Sequence, residues 1–255
     1  MTSPLKTWFE AEGRLLRLRL SRPKANIVDA AMIAALDGAL ATHVNNANLA
    51  AVLLDSEGPH FSFGASVEEH LPNQCAAMLR GFHRLILRLV ESPVPILAAV
   101  RGQCLGGGLE LALAGHLIFV APDASLGQPE MKLGVFAPAA SCLLPELIAL
   151  GQAVDLLLSG RSITGTEAVA MGLAREASAT PETAAIAYFN DHLKPKSASS
   201  LRFAVKAARL DYAARVRKKI ETVEQMYLSE LMKTHDAVEG IEAFLGKRTA
   251  QWQHR

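Results

Sequence analysis

Two glutamates stand out by their surroundings. Glu110 lies in Gly106-Gly107-Gly108-Leu109-Glu110-Leu111-Ala112-Leu113-Ala114, the one carboxylate in an otherwise apolar helical run. Burying a carboxylate is costly unless it is paired or put to use. Desolvation would raise its pKa, while a nearby helix N-terminus would lower it. Glu130 lies in Leu126-Gly127-Gln128-Pro129-Glu130, just beyond a strand end and behind a proline that restricts the backbone. Two carboxylates on Gly- and Pro-shaped turns after strands suit paired general acid–base work. Each alone has a plainer explanation: a surface-pointing helix start for Glu110, a surface loop for Glu130.

The glycine triplet Gly106–Gly108 is a third anomaly. Three glycines in a row lose backbone entropy on folding and contribute no packing. They sit between a strand and a helix, where backbone N–H groups point at an anion or a developing oxyanion. A phosphate loop would need Lys and then Ser or Thr after Gly107, and Gly108-Leu109 stand there. A dinucleotide fingerprint from Gly106 would need Gly or Ala where Leu111 stands. No GxSxG occurs, which weighs against a serine hydrolase elbow. A tight turn with close helix–strand packing explains the triplet equally well on its own. Phe61-Ser62-Phe63-Gly64-Ala65-Ser66 also follows a strand and precedes a helix, so a second main-chain donor could come from there. Two opposed donors from two loops would make an oxyanion hole.

The elements that must position these groups follow from periodicity. Strands are expected at Arg14–Leu20, Ala51–Asp55, Val94–Val100 and Leu117–Val120. Helices are expected from Asp29 through Leu40, over Cys75–Val90, and over Leu109–Ala114. This β-α-β-α-β-α-β order with short apolar strands predicts an α/β fold with largely buried sheets. From about Leu143 helices dominate: Cys142–Leu150, Ala153–Leu158, Thr166–Met171 capped by Thr164 or Thr166, and long segments at 182–193, 201–232 and 236–249. Lys194-Pro195-Lys196-Ser197 reads as a linker, dividing a core at 1–193 from a helical region at 194–255.

Composition narrows the partners. The 255 residues are 50% hydrophobic and 20% charged, enough for a real core and too apolar for disorder. Net charge is +1, so no basic excess argues for nucleic acid. The balance is uneven: residues 1–190 carry 13 Lys/Arg against 17 Asp/Glu, and residues 191–255 carry 13 against 8. The basic last quarter is either a solvated face or a contact for an anionic ligand or a neighbouring subunit. Cys75, Cys104 and Cys142 form no CxxC, and the eight histidines form no ligand-like cluster, so neither a disulfide framework nor a metal is expected. Met1–Glu10 has no apolar core of a signal peptide, and no apolar run reaches the roughly 18 residues of a membrane span. A cytoplasmic location is expected.

FSFGAS, the strand VPILAAVRG with GGGLELALA, and GQPEMKLG together resemble the crotonase (enoyl-CoA hydratase) superfamily, over about Arg14 to Arg248. The resemblance implies a spiral ββα core of stacked sheets, a helical C-terminal region, and a homo-oligomer, trimer or dimer of trimers. It implies an acyl-CoA thioester substrate, with CoA as part of the substrate and no separate cofactor. The main-chain N–H groups of Ala65 and Gly107 would form the oxyanion hole. Glu110 and Glu130 match the two glutamates of the hydratase branch. Phe63, Gly64 and Gly106 would contact CoA or substrate, with segment 61–66 at the adenine. Phe244 and Lys247, in a stretch similar to the family's EGxxAFxxKR, would reach the CoA of a neighbouring subunit. Ser66 and Glu68 depart from the family, which commonly has Asp and then Lys or Arg there. An acid at Glu68 cannot neutralise a CoA phosphate. Hydratases also usually follow the second glutamate with PGxGGT, where this chain has Ala137-Pro138-Ala139-Ala140-Ser141-Cys142. Pro138 replaces a glycine whose N–H would face the site.

GVFAPAAS, FSFGASVEEHLP and GQPE are together most similar to the superfamily branch that hydrates cyclohexa-1,5-diene-1-carbonyl-CoA to 6-hydroxycyclohex-1-ene-1-carbonyl-CoA in anaerobic benzoyl-CoA breakdown. A ring needs a wider pocket than a straight chain, and Phe136, Pro138, Leu143, Leu144 and the helix Cys75–Val90 are its expected walls and floor. The alternatives are straight-chain enoyl-CoA hydration, isomerisation, thioester hydrolysis, or acyl-CoA binding without catalysis. Retaining both glutamates favours hydration.

Overall fold

The computed structural model describes residues 3–255. In chain order its elements begin with β1 (Leu5–Glu10), β2 (Leu15–Leu20), α1 (Ala30–His43), β3 (Ala51–Ser56), α2 (Cys75–Val90), β4 (Ile96–Val100) and β5 (Gln103–Leu105). They continue with α3 (Gly107–Ala114), β6 (Leu117–Val120), β7 (Ser125–Gly127), α4 (Pro138–Leu147), α5 (Leu150–Ser159), β8 (Ser162–Thr164) and α6 (Gly165–Ala170). Last come β9 (Glu176–Ala177), α7 (Pro181–Tyr188), α8 (Ala198–Ser229) and α9 (His235–Leu245).

The strands form two sheets. The larger has the order β1-β2-β3-β4-β6-β9, parallel except for the β1–β2 hairpin. Its inner strands β3 and β4 are buried along their whole length, which is why both read as apolar runs without alternation. The smaller sheet has the order β5-β7-β8, with β5 and β7 parallel and β8 antiparallel. Its three-residue strands are too short to carry a periodic signal, and only the strand end ahead of Glu130, now β7, was expected from the sequence. The stacked α/β arrangement is the expected fold class.

Local chemistry explains the helix starts. Asp29 Oδ1 accepts the Met32 N–H at 2.9 Å and caps α1. Thr164, not Thr166, caps α6: its Oγ1 accepts the Glu167 N–H at 3.1 Å and Glu167 returns a bond from the Thr164 N–H at 2.6 Å. The expected helix Cys75–Val90 is present over the same span, with Met78, Leu79, Phe82, Ile86 and Leu89 buried. Helix α3 starts two residues earlier than expected, because Gly107 and Gly108 take helical geometry. Helix α4 likewise starts at Pro138, four residues ahead of the expected Cys142, since proline suits the first helical turn.

Helix α8 begins just past the Lys194–Ser197 run. Its second half buries Val216, Ile220, Val223 and Tyr227 in the same apolar cluster as residues of α2 and α4. Its first half leaves Phe203 and Leu210 exposed. Among the described residues no helix is long and apolar enough to cross a membrane.

A buried ionic network ties the large sheet to α7. Arg17 on β2 pairs with Asp55 on β3, with Glu10 at 2.8 Å and with Glu182 at 2.6 Å. Arg19 adds bonds to Asp55 at 2.7 and 2.9 Å and to Glu182 at 2.7 Å. Removing one member of such a set leaves the opposite charge buried and unpaired. Asp55→Ala is therefore expected to lower stability by about 3–5 kcal/mol in urea denaturation.

Candidate active site

Strands β5 and β7 run side by side in the same direction and deliver both glutamates. The Gly106 N–H donates to the Gly127 carbonyl at 2.9 Å where the two strands end. From one end α3 carries Glu110 inward, and from the other the 3-10 turn Pro129–Leu133 carries Glu130. Gly106 has a φ of +49°, and a Cβ there would stand 2.5 Å from Glu130 Oε1. The positive φ favours glycine at this position, and the missing side chain leaves room for the Glu130 carboxyl.

Segment 61–66 is placed by the same strand. Ser62 N–H donates to the Gln103 carbonyl and Leu105 N–H to the Ser62 carbonyl, each at 3.0 Å. This extends the small sheet and sets Ala65 against the glycine triplet. The Ala65 nitrogen is 3.1 Å from where a Cβ on Gly107 would stand. Gly107 is the first residue of α3, so its N–H is one that the helix cannot satisfy internally. The structure thus brings the two anticipated main-chain donors together. Such a pair can hold an oxygen that gains negative charge.

Both donors and both carboxyls border one cavity of about 830 Å³. Met78, Leu79 and Phe82 of α2 form an apolar wall. Phe63, Gly64, Gly106 and Pro138 also line it, as do Ser66 and Glu68. Helix α9 lines this chain's own cavity with Ile241 and Phe244. Lys247 is not among the lining residues; Lys132 and Arg248 are the cations there. Three expected walls also stay out of the cavity. Phe136 packs edge-on against Tyr227, with ring centroids 5.2 Å apart, and Leu143 and Leu144 are buried inside α4. In each case the inward face of the helix or turn points to the core behind the site.

Glu110 is only 4% exposed. Its Oε1 accepts the Ala140 N–H at 2.7 Å, and the Ala139 N–H also favours its charged form. These donors come from the first turn of α4, where the missing N–H of Pro138 is no loss. Burial raises the Glu110 pKa; the N–H groups of Ala140 and Ala139 and the charge of His83 oppose the rise. Glu130 is pushed up to about 8, first by burial and then by the charge of Glu110. Burial and mutual repulsion both oppose a second charge, so the two carboxyls titrate as a coupled pair. Turned so that its amide nitrogen faces the carboxylate, the buried Gln128 donates to Glu130 Oε1 at 3.2 Å and Oε2 at 3.1 Å.

Sequence reasoning missed Gln128, Tyr227 and His83. Gln128 stands between two recognised turn residues and could have been suspected. Tyr227 and His83 lie on the apolar stripes of α8 and α2, where a polar residue looks like any core position. The Tyr227 hydroxyl is buried without a partner among the described residues, and its pKa is raised by burial and by the nearby Cys75, Glu130 and Glu110. Among the described residues no cluster of His, Cys, Asp or Glu could hold a metal ion.

The arrangement can polarise a carbonyl oxygen with two N–H groups while one carboxylate accepts a proton and one carboxylic acid donates one. That is the equipment for adding water across, or removing it from, a double bond conjugated to a thioester.

Comparison with known proteins agrees with this. Residues 10–255 match the enoyl-CoA hydratase/isomerase family model. A cyclohexa-1,5-dienecarbonyl-CoA hydratase of Thauera aromatica is 61% identical over 254 residues, 100% of this chain and 98% of the relative. A probable enoyl-CoA hydratase of Bacillus subtilis is 32% identical, over 92% of this chain and 94% of its own. The crystal structure of an enoyl-CoA hydratase from Mycobacterium avium subsp. paratuberculosis superposes with a TM-score of 0.86 at 21% identity. It covers 99% of this chain and 100% of its own, and at that identity it speaks to the fold alone.

The coupling between the two carboxyls is directly testable. Glu110→Gln removes the neighbouring charge, so Glu130 should lose its proton at lower pH than in the unsubstituted protein. The carboxylic-acid band of Glu130, followed by infrared difference spectroscopy against pH, should move down. An unmoved band would mean that the pair is not coupled.

Proposed function

The chain belongs to the enoyl-CoA hydratase/isomerase family, and on that premise we propose that it is a hydro-lyase adding water to cyclohexa-1,5-diene-1-carbonyl-CoA. The Thauera relative, similar along the full chain, carries the choice of substrate. The chemistry of the site carries the reaction type.

An oxyanion hole helps only an addition that pushes charge onto the thioester oxygen. Of the two ring double bonds, C1=C2 is the one whose β carbon, C2, is activated in this way. Glu110, whose charged form the Ala140 and Ala139 N–H groups favour, takes a proton from water as the hydroxyl adds at C2. The electrons spread into a dienolate over the thioester oxygen, held by the N–H groups of Ala65 and Gly107, and over C1, C6 and C5. Glu130 then delivers its proton at C5. The double bond settles between C1 and C6, and numbering the ring the other way gives 6-hydroxycyclohex-1-ene-1-carbonyl-CoA. One water is consumed, and the pair returns with one proton between its two members. The carboxyls therefore serve opposite ring carbons, not adjacent ones as in a straight-chain substrate.

The apolar wall of Met78, Leu79 and Phe82 suits a flat ring. Lys132 and Arg248 supply positive charge that Glu68 cannot, although Arg248 is also tied to Glu239 at 2.5 Å. A trimer or a dimer of trimers is part of this reading, supported by exposed Phe203 and Leu210 on α8. So is a cytoplasmic location.

Turnover in D₂O tests the reaction. The added deuterium should appear by NMR at C3 of the product, the carbon across the ring from the hydroxylated one. Deuterium at C5 would mean direct addition to the unactivated double bond and would contradict the role of the oxyanion hole.

A further inference from the structure

Beyond α9, residues 249–255 fold back along that helix as an irregular strap. Asp236 and Glu239 stand three residues apart on α9 and so share one face of it. Both carboxylates grip the strap. Asp236 Oδ1 accepts the Gln253 N–H and its Oδ2 the His254 N–H, each at 2.7 Å. Glu239 Oε1 accepts the Gln251 N–H, also at 2.7 Å. The Glu239 carboxylate is shared with Arg248, a cation of the cavity lining, which donates through Nη1 at 2.5 Å and Nη2 at 2.8 Å. Hydrogen bonds to a charged group are stronger than neutral ones, so the strap is firmly held.

These bonds fix the Trp252 ring in a corner between two elements of the site. Its Cζ3 lies 3.0 Å from where a Cβ on Gly134 would stand, and its Cη2 2.9 Å from where one on Gly240 would stand. Gly134 ends the Pro129–Leu133 turn that carries Glu130 and Lys132. Gly240 belongs to α9 and borders the cavity beside Ile241. The two backbones also meet directly. A Cβ on Gly240 would come within 2.1 Å of the Leu133 carbonyl oxygen, and one on Gly134 within 2.6 Å of the Asp236 carbonyl oxygen.

We propose that Trp252, held in place by Asp236 and Glu239, is a positioning residue that sets the seat of α9 on the Glu130 turn. That contact fixes two things at once: the cavity wall made by Ile241 and Phe244, and the place of the Glu130 carboxyl against the substrate. The ring is 42% exposed and is not part of the cavity lining, so it acts through the turn and the helix and touches no substrate.

The inference rests on the cavity being the acyl-CoA site, so its test separates motion, binding and turnover. Trp252→Ala and Trp252→Phe would be compared with the unsubstituted protein by amide hydrogen exchange, by calorimetric binding of the unreactive cyclohexanecarbonyl-CoA, and by hydration of the dienoyl thioester. Binding and kcat are expressed per folded molecule. Trp252→Ala should speed exchange in both the Pro129–Leu133 turn and α9. It should weaken thioester binding about fivefold, because the loosened wall must be ordered again on binding. It should lower kcat about tenfold, because a small misplacement of a reacting group is costly. Trp252→Phe keeps a ring in the corner and should restore most of each. A lower Tm with binding and kcat unchanged would make the ring merely structural and overturn the proposal, as would a Phe variant no better than Ala. If Trp252→Ala does not fold, Asp236→Ala decides. It releases the Gln253 and His254 bonds but keeps the indole, and normal binding and kcat in it overturn the proposal. Faster exchange in Trp252→Ala, in a protein that binds no thioester even unsubstituted, would sink the acyl-CoA reading and leave the coupling of strap, helix and turn standing.

Discussion

Glu110 is a carboxylate placed where carboxylates are expensive, and its neighbours are arranged to make that tolerable. The bond from the Ala140 N–H at 2.7 Å is the central one. It requires α4 to begin at the cavity wall, with its unsatisfied N–H groups aimed at the carboxyl. Pro138 at the start of α4 is consistent with this demand, since that position has no intrahelical bond to lose. What looked from the sequence like a damaged glycine loop is a helix N-terminus serving Glu110.

The same carboxylate explains the glycine triplet. For Glu110 and Glu130 to meet, β5 and β7 must end together, and the chain must turn without side chains in the way. A Cβ on Gly106 would strike Glu130, and one on Gly108 would come within 2.6 Å of the Ser62 Cβ. Ser62 in turn belongs to the segment that β5 holds beside it, which is how Ala65 comes to face Gly107. The oxyanion donors and the acid–base pair are therefore not independent features. Both depend on β5, paired with β7 along three residues and bridged by Ser62 beside it.

Much of this was legible in the chain. The helix Cys75–Val90, the buried strands Ala51–Asp55 and Leu117–Val120, and the two glutamates announce themselves by periodicity or by charge in an apolar setting. The small sheet does not, because three-residue strands have no period to read. Phe136, Leu143 and Leu144 were misjudged as cavity walls because apolar residues near a site can face either the ligand or the core behind it. Only packing decides which. His83 and Tyr227 were hidden for the converse reason: a polar residue on an apolar stripe carries no sign of what it touches until a helix distant in sequence is laid against it. Lys132, unremarked in the sequence, borders the cavity because the 3-10 turn that carries Glu130 carries it too.

The central claim is that this cavity, with two main-chain donors opposite a coupled carboxyl pair, hydrates a ring thioester. The most direct measurement offers the purified protein equal amounts of cyclohexa-1,5-diene-1-carbonyl-CoA and crotonyl-CoA, with mass spectrometry following which thioester gains the mass of one water. The account expects the ring substrate to be hydrated first and in large excess. Preferential hydration of crotonyl-CoA, or no hydration of either, would contradict it.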